Sequence, residues 1–277
     1  MYIDTHFHTN VYERYENAVD PSLQMLEQRK ILVVSNTVDL DSYKTTLNLA
    51  KQSDFVLPCF GLHPQNAPEY IDKLDELNEL FEKALVFGEI GLDHFHMKDK
   101  SEYPAQEILF RKFLEFAQKQ KKIVILHLDG AEKTALKILQ EYKLPAVIVH
   151  GFWGDLDVFK KMVDEGFYFS TGGNAIMPKF KPVVDAADLK RVHTIIKKIP
   201  AQQLLTETDG PCRTDPNASP DDPRSAPSYI IDIIEQLATI RNATADEINR
   251  LAIDNFQKIT KNNTWVEKYH TLIENSR

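Results

Sequence analysis

Eight short apolar segments, each bounded by turn-forming residues, alternate along the chain with segments of helical periodicity. We predict strands over residues 2–8, 31–36, 55–61, 84–91, 123–129, 146–151, 167–173 and 203–209. Alternating strands and helices form parallel sheets, and eight such units close into a (β/α)8 barrel. A doubly wound open sheet competes, but no glycine-rich phosphate loop follows any predicted strand. The sequence therefore predicts an α/β protein with the TIM-barrel fold.

A helical tail is predicted from about Ser228 onward. It contains IIDIIEQLATI and then Thr244 with Glu247 three residues later, a capping-box pattern that begins another helix. The preceding segment 211–227 is rich in Pro and Asp and is too short to separate two domains. We therefore expect one domain over residues 1–277, a barrel followed by C-terminal helices.

Composition narrows the class of protein. No apolar run approaches the roughly 18 residues of a membrane helix, and no secretory signal is visible. Two cysteines, Cys59 and Cys212, provide no disulfide framework and suit a reducing compartment. A net charge of −8 is unlike that of general nucleic-acid-binding proteins, although bound divalent cations can supply positive charge locally. We expect a cytoplasmic protein that does not bind membranes, with its oligomeric state left open.

Six potential metal ligands occur at the ends of predicted strands: His6, His8, Glu89, His127, His150 and Asp209. The active sites of (β/α)8 barrels lie at the carboxyl ends of the strands, so these side chains would converge on one mouth. Alternate residues of a strand point the same way, so His6 and His8 share a face while Phe7 packs outward. Asp4 would lie deeper on that face and orient the ligands rather than bind metal.

A single histidine at a strand end is usually a satisfied polar residue, and the convergence of the whole set favours a functional site. Glu89 lies in the apolar run VFGEI, where an unpaired carboxylate would cost several kcal/mol, so a metal is a natural partner. The sequence therefore predicts two divalent ions. Zn²⁺ suits the histidines, whereas Mg²⁺ or Mn²⁺ suits carboxylates and phosphate.

Over nearly its whole length the chain resembles the TatD family of metal-dependent deoxyribonucleases, within the amidohydrolase-type barrels. The resemblance rests on IDTHFH, GLHP, GEIGLD, QEILFRKFLEFA, ILH, VHGFWG, TETDGP and RSAPSY. Carried over position by position, the family's ligands fall on the same six residues. By that resemblance Glu89 bridges the two ions, with His6, His8 and Asp209 at one ion and His127 and His150 at the other.

Three segments depart from the family pattern. Leu128 and Asp129 stand where the family often has Ser or Thr and then Arg, and His94-Phe95-His96 follow GLD where an Arg is common. The segment 224–227 lacks the usual Asn and Glu. These differences leave the ligand set intact and leave the preferred substrate open.

The resemblance implies phosphodiester hydrolysis in DNA, by an exonuclease acting on single-stranded or damaged strands. Asp209 would take the proton of the attacking water, with Glu89 between the ions. His63 would bind the phosphate or protonate the leaving oxygen, or else orient a ligand. Substrate contacts are predicted at His94, Phe152 and Arg224, and His96 is expected in solvent. For Phe152 and Trp153, core packing and base stacking both stay open.

Two other functions stay open. Binuclear barrels also hydrolyse amides and esters, so a deacylase or esterase acting on a small substrate or on aminoacyl-tRNA is an alternative. A non-catalytic metal-binding subunit of an assembly is the other, although a purely structural metal would not need a base such as Asp209.

Overall fold

The computed structural model describes residues 1–15, 17–173, 176, 186–211 and 223–276. Within these residues eight parallel strands form one sheet in which spatial order follows chain order. The strands are β1 (Tyr2–Phe7), β2 (Ile31–Ser35), β3 (Val56–Phe60), β4 (Val86–Gly91), β5 (Val124–His127), β6 (Val147–His150), β7 (Tyr168–Gly172) and β8 (Leu204–Glu207). Each lies inside its predicted segment, and the predicted (β/α)8 barrel is confirmed.

Helices surround the sheet. In the described part of the chain they are α1 (Val19–Arg29), α2 (Leu40–Ala50), α3 (Ala67–Tyr70), α4 (Asn78–Lys83), α5 (Tyr103–Gln120), α6 (Glu132–Leu139), α7 (Leu156–Asp164), α8 (Ala186–Lys198), α9 (Tyr229–Arg241), α10 (Ala245–Thr260) and α11 (Glu267–Asn275). The capping box is confirmed, since Thr244 Oγ1 accepts from Glu247 N at 3.2 Å where α10 begins. None of the described helices is long and apolar enough to cross a membrane.

The buried side chains form two hydrophobic layers. Leu32, Ile125 and Ile148 belong to an inner layer that fills the barrel, whereas their strand neighbours Val33 and Val149 pack in an outer layer against the helices. This alternation is what a strand with a two-residue period produces when both faces are covered.

The last two helices, α10 and α11, cover the amino ends of the strands. Asn249 Nδ2 in α10 donates to Met1 O at 3.1 Å, and Tyr269 in α11 donates through its hydroxyl to Val56 O at 2.9 Å. Phe256 of α10 continues the inner hydrophobic layer. The predicted ligands lie at the opposite, carboxyl ends of the strands, which we call the mouth of the barrel.

A register shift interrupts the alternation in β1, between Asp4 and Phe7. Ile3 lies in the inner layer and Phe7 in the outer layer, although an unbroken strand would place them on one face. Phe7 therefore packs outward as predicted, and His6 turns into the mouth. The prediction that Asp4 and His6 share a face assumed unbroken alternation, which the shift interrupts.

A second register shift lies in β4, between Phe87 and Ile90. Val86 belongs to the inner layer, whereas Ile90 and Phe87 belong to the outer one. Strict alternation would turn Glu89 outward with Phe87. The shift instead directs Glu89 into the mouth, as bulges next to functional sites commonly do.

Threonines join the first and last strands. Thr5 Oγ1 donates to Thr206 O at 3.0 Å, and Thr206 Oγ1 donates to Ile3 O at 2.7 Å. These buried bonds supplement a backbone bridge between Phe7 and Gly210. The two strands are thereby held side by side where the barrel closes.

Candidate metal centre

Glu89 lies between two groups of histidines at the carboxyl ends of the strands. Its Oε2 is 3.6 Å from His6 Nε2 and 3.8 Å from His8 Nε2. Its Oε1 is 2.9 Å from His127 Nδ1 and 3.6 Å from His150 Nε2. A bridging carboxylate presents one oxygen to each of two ions, so this arrangement fits the role that the resemblance implies for Glu89.

The first group has the spacing of a metal coordination shell. His6 Nε2 lies 3.2 Å from His8 Nε2 and 3.6 Å from Asp209 Oδ1, and His8 Nε2 lies 3.4 Å from the same carboxylate oxygen. Four tetrahedral ligands at zinc–nitrogen and zinc–oxygen distances are about 3.3 Å from one another. Together with Glu89, these residues could therefore surround one divalent ion.

Two acceptors set the orientation of the ligand rings. His8 Nδ1 lies 3.0 Å from Asn36 O, and His150 Nδ1 lies 3.2 Å from Glu207 Oε1. Since a carbonyl or carboxylate oxygen can only accept, the proton of each neutral ring is assigned to Nδ1. The lone pair of Nε2 then faces the mouth, and such outer partners keep it there.

Asn36 and Glu207 were not identified from the sequence. Glu207 also accepts from Gly151 N at 3.0 Å, so it holds both the ring and the backbone at the end of β6. Its position two residues before Asp209, within TETD, is the signal that could have indicated an inward-facing carboxylate. The Asn36 contact uses a backbone carbonyl, for which the residue type carries no signal.

The carboxylates and imidazoles shift one another's pKa values. Burial would raise the pKa of Glu89, but the neighbouring histidines, His6 foremost, hold it well below its usual range. Burial would lower the pKa of His150, yet the Glu207 carboxylate and its acidic neighbours raise it to about 10. The ring therefore binds a proton far more tightly than free imidazole does. A site that favours positive charge this strongly is suited to a divalent cation.

Asp209 has an unusual backbone conformation, with φ of +53° in the left-handed region that residues other than glycine rarely adopt. Its N donates to His6 O at 3.0 Å, and Gly210 O accepts from His8 N at 2.7 Å. These bonds hold the turn after β8 against the end of β1, which places the carboxylate beside both histidines. The side chain is 45% exposed, so a water molecule can approach it.

The neutral ring of His63 is oriented so that it can donate a hydrogen bond into the mouth. Its Nδ1 accepts from Gln65 N at 3.2 Å, so the proton of the neutral ring is assigned to Nε2, which lies 3.8 Å from Glu89 Oε1. An N–H directed at the mouth can donate to a phosphate or leaving-group oxygen. This geometry favours the substrate role predicted for His63, which stays a prediction, over a role as metal ligand.

Two further carboxylates face the other nitrogen of His127. Its Nε2 lies 3.5 Å from Asp93 Oδ2 and 3.7 Å from Asp129 Oδ2. Asp93 is buried, and its Oδ2 also lies 3.1 Å from His96 Nδ1. His96, expected in solvent, is half-exposed and belongs with His127 and Asp129 to a further group whose atoms are close enough to hold a cation.

The aromatic side chains that were predicted near the substrate differ in how far they are buried. The half-buried His94 ring stacks on Tyr103 with centroids 3.7 Å apart, which covers one of its faces. Phe152 is buried and packs against Phe159 in the outer layer. This packing favours the core alternative for Phe152, although the residue also lines a small depression beside His150, and substrate contact there stays a prediction. Its neighbour Trp153 is the partly exposed aromatic.

Arg224 lies in a short 3-10 helix, Pro223–Ser225, and is half-buried. The Tyr12 hydroxyl donates to Ser225 O at 2.5 Å, which connects this helix to the segment that follows His8. Substrate contact by Arg224 stays a prediction. Cys212 lies outside the described residues, and Cys59 is buried as a free thiol.

Comparison with known proteins shows the family of the chain and relatives that share its fold. The sequence profile of the family described as TatD related DNase matches residues 3–261. The uncharacterized metal-dependent hydrolase YabD of Bacillus subtilis is 29% identical over 269 residues, which cover 95% of this chain and 100% of YabD. The crystal structure of YjjV, a TatD homolog from Escherichia coli, matches with a TM-score of 0.76 at 25% identity, covering 93% of this chain and 97% of YjjV.

The likeness also extends to a more distant barrel. A mutant of the organophosphorus hydrolase from Deinococcus radiodurans matches with a TM-score of 0.65 at 14% identity, covering 92% of this chain and 90% of that chain. At this identity the match shows a shared fold alone.

Proposed function

Because the chain belongs to the TatD related DNase family of metal-dependent hydrolases, we propose that it hydrolyses phosphodiester bonds in DNA with two divalent ions. The observation that carries the proposal is Glu89, whose Oε2 faces His6 and His8 while its Oε1 faces His127 and His150. One ion would be held by His6, His8, Glu89 and Asp209, and the other by Glu89, His127 and His150. Zn²⁺, Mg²⁺ and Mn²⁺ all remain compatible with nitrogen and oxygen ligands.

When bound, the two ions would neutralise charge on the attacked phosphate and lower the pKa of a nearby water. Burial raises the pKa of the Asp209 carboxyl, but the surrounding histidines together lower it, so the ionised carboxylate would be available to accept the proton of that water. His63 would donate from Nε2 to the phosphate or to the leaving oxygen. Asn36 and Glu207 would keep the ligand rings in the tautomer that binds metal.

The net charge of the chain supports action at the ends of DNA strands. A protein with net charge −8 has little capacity for the extended phosphate contacts that hold duplex DNA. We therefore propose an exonuclease whose substrate is single-stranded or damaged DNA. Such a substrate needs only one phosphate at the metal centre and a few nucleotides beside it.

A second candidate function uses the same metal ions to hydrolyse a different kind of bond. Asp93 and Asp129 lie next to His127, where they would repel a polyanionic backbone but not a neutral ester or amide. This favours a deacylase or esterase acting on a small substrate or on the end of an aminoacyl-tRNA. If the protein binds metal but hydrolyses none of the substrates, the remaining interpretation is a non-catalytic metal-binding subunit.

The test is metal analysis of the purified protein together with digestion of 5′- and 3′-labelled single-stranded DNA. Aminoacyl-RNA, simple esters and amides serve as competing substrates. We expect two ions per chain and stepwise shortening of the DNA from one end. DNA cleavage by Glu89→Gln at the wild-type rate would contradict the proposal, and turnover of esters alone would favour the second candidate.

A further inference from the structure

Phe95 is the most exposed large hydrophobic side chain in the described residues, at 56%, ahead of Ile108 at 51%. It lies after β4 in the segment His94-Phe95-His96, one of the segments that depart from the family pattern. Ile108 lies on the outer face of α5, where single exposed hydrophobics are common. Phe95, by contrast, is joined through its backbone to Asp129, whose carboxylate lies 3.7 Å from Nε2 of the predicted ligand His127.

The backbone beneath the Phe95 ring is held in place. Phe95 N donates to Asp93 Oδ1 at 3.0 Å and to Asp129 O at 3.2 Å, and His94 N donates to the same Asp129 carbonyl at 2.7 Å. Gly130, with φ of +69°, permits this close approach, because an added Cβ would lie 3.2 Å from Phe95 N. An exposed ring on a fixed backbone is pre-organised for binding, since little conformational freedom is left to lose.

A second aromatic side chain completes the surface. The Trp153 ring lies 5.3 Å from the Phe95 ring, with the two planes at 70°, an edge-to-face arrangement. Trp153 Nε1 donates to Asp129 Oδ1 at 2.9 Å, which fixes the plane of the indole. We call Phe95 and Trp153 together the aromatic shelf.

Asp129 connects the aromatic shelf to the candidate metal centre. While its Oδ1 accepts from Trp153, its Oδ2 lies 3.7 Å from Nε2 of His127, a predicted ligand. Asp129, His150 and Trp153 also line one small depression. The aromatic shelf is therefore continuous with the mouth through Asp129.

We propose that the aromatic shelf is a stacking subsite for an unpaired nucleobase next to the scissile phosphate. The inference rests on the proposed phosphodiesterase function and deepens it. The occupant is a base and not a phosphate, because the carboxylates of Asp93 and Asp129 repel anions, whereas a neutral planar base stacks on aromatic rings. A base inside a duplex has both faces covered, so the subsite selects single strands and unpaired ends.

The test compares two oligothymidylates of equal length, one intact and one with abasic residues at both ends. The variants are Phe95→Ala, Phe95→Trp, which keeps an aromatic face, and the matched control Ile108→Ala. We expect Phe95→Ala to lower kcat/KM for the intact strand about 5- to 100-fold, mainly through KM. The abasic strand should be cleaved equally by wild type and Phe95→Ala, and Phe95→Trp and Ile108→Ala should resemble wild type throughout.

Equal losses on both strands, or no loss on either, would overturn the stacking subsite while leaving the proposed function in place. If wild type cleaves neither strand, the proposed function itself fails. Binding of a non-hydrolysable phosphorothioate oligothymidylate to the metal-loaded protein then decides the subsite separately. Weaker binding by Phe95→Ala than by Ile108→Ala supports it, and equal binding overturns it.

Discussion

Asp4 joins the first strand to the residue that precedes Asp209. Its Oδ2 accepts from Thr208 Oγ1 at 2.6 Å, and its Oδ1 accepts from Thr208 N at 3.2 Å. The same Oδ1 accepts from His6 N at 3.2 Å. One buried carboxylate therefore fixes the backbone at a ligand on β1 and the backbone beside another ligand after β8. This geometry supports an orienting role for Asp4.

Thr208→Val should destabilise the protein by about 1–3 kcal/mol, because the buried Asp4 carboxyl loses a hydrogen-bond donor and Gly210 N loses its acceptor, while the side chain keeps its volume. The free energy of unfolding in urea measures the effect. Thr239→Val is the matched control, since Thr239 is exposed on α9 and its hydroxyl donates to Glu235 O of the same helix. If both variants lose the same stability, the contact between Asp4 and Thr208 does not contribute as described.

Asp209→Asn should lower kcat by about 10²–10⁴-fold, because an amide cannot accept the proton of the attacking water. The fold should be unchanged, since the backbone bonds of Asp209 do not involve its carboxylate. Steady-state rates on labelled DNA, together with metal content, separate loss of the base from loss of an ion. Unchanged kcat at full metal occupancy would rule out Asp209 as the base.

Glu207→Gln should weaken binding of one of the two ions about 10–100-fold, because His150 loses the carboxylate that orients its ring. Competition with a chromogenic chelator measures both affinities. Glu115→Gln, an exposed change in α5, is the control and should leave both unchanged. Equal weakening of both ions would point to a general structural effect instead.

Lys122 should make stability depend on pH. It is fully buried, and its Nζ donates to Phe81 O at 2.7 Å and to Glu82 O at 2.8 Å. Burial lowers its pKa from 10.5 to about 8. Between these values Lys122 binds more protons in the unfolded chain than in the folded one, so its contribution to the free energy of unfolding rises with pH.

Urea unfolding between pH 7.5 and about 10.5 measures this rise in the wild type. Lys122→Met should remove it, and the exposed substitution Lys161→Met should retain it. The same pH dependence in all three proteins would contradict the lowered pKa. At pH 7.5 we also expect Lys122→Met to be less stable than the control, because two buried carbonyls lose their donor.

Much of the fold was predictable because its signals are local. Apolar runs and turn residues located all eight strands, and Thr244 with Glu247 located the start of α10. In β5 and β6 strict alternation holds from the first residue to the last, so the inward direction of His127 and His150 follows from counting along the strand. The sequence left core packing and base stacking both open for Phe152, because its packing partners, Phe159 and Phe169, are brought to it by the fold.

The residues that hydrogen-bond to the ligand rings could not be predicted from the sequence, for the same reason. His150 and Glu207 are 57 residues apart, and His8 and Asn36 are 28 residues apart. Their contacts depend on how neighbouring strands are aligned, which no single segment encodes. The aromatic shelf likewise brings Phe95 and Trp153 together from loops after different strands.

The sequence by itself determined the order of strands and helices and which residues could bind metal at the strand ends. The tertiary structure alone decided which way two of them face. Strict alternation in β4 would have turned Glu89 toward the helices, and the register shifts in β1 and β4 direct His6 and Glu89 inward. A register shift arises from hydrogen bonding to neighbouring strands and not from the residues of one strand, so it becomes visible only in the assembled barrel.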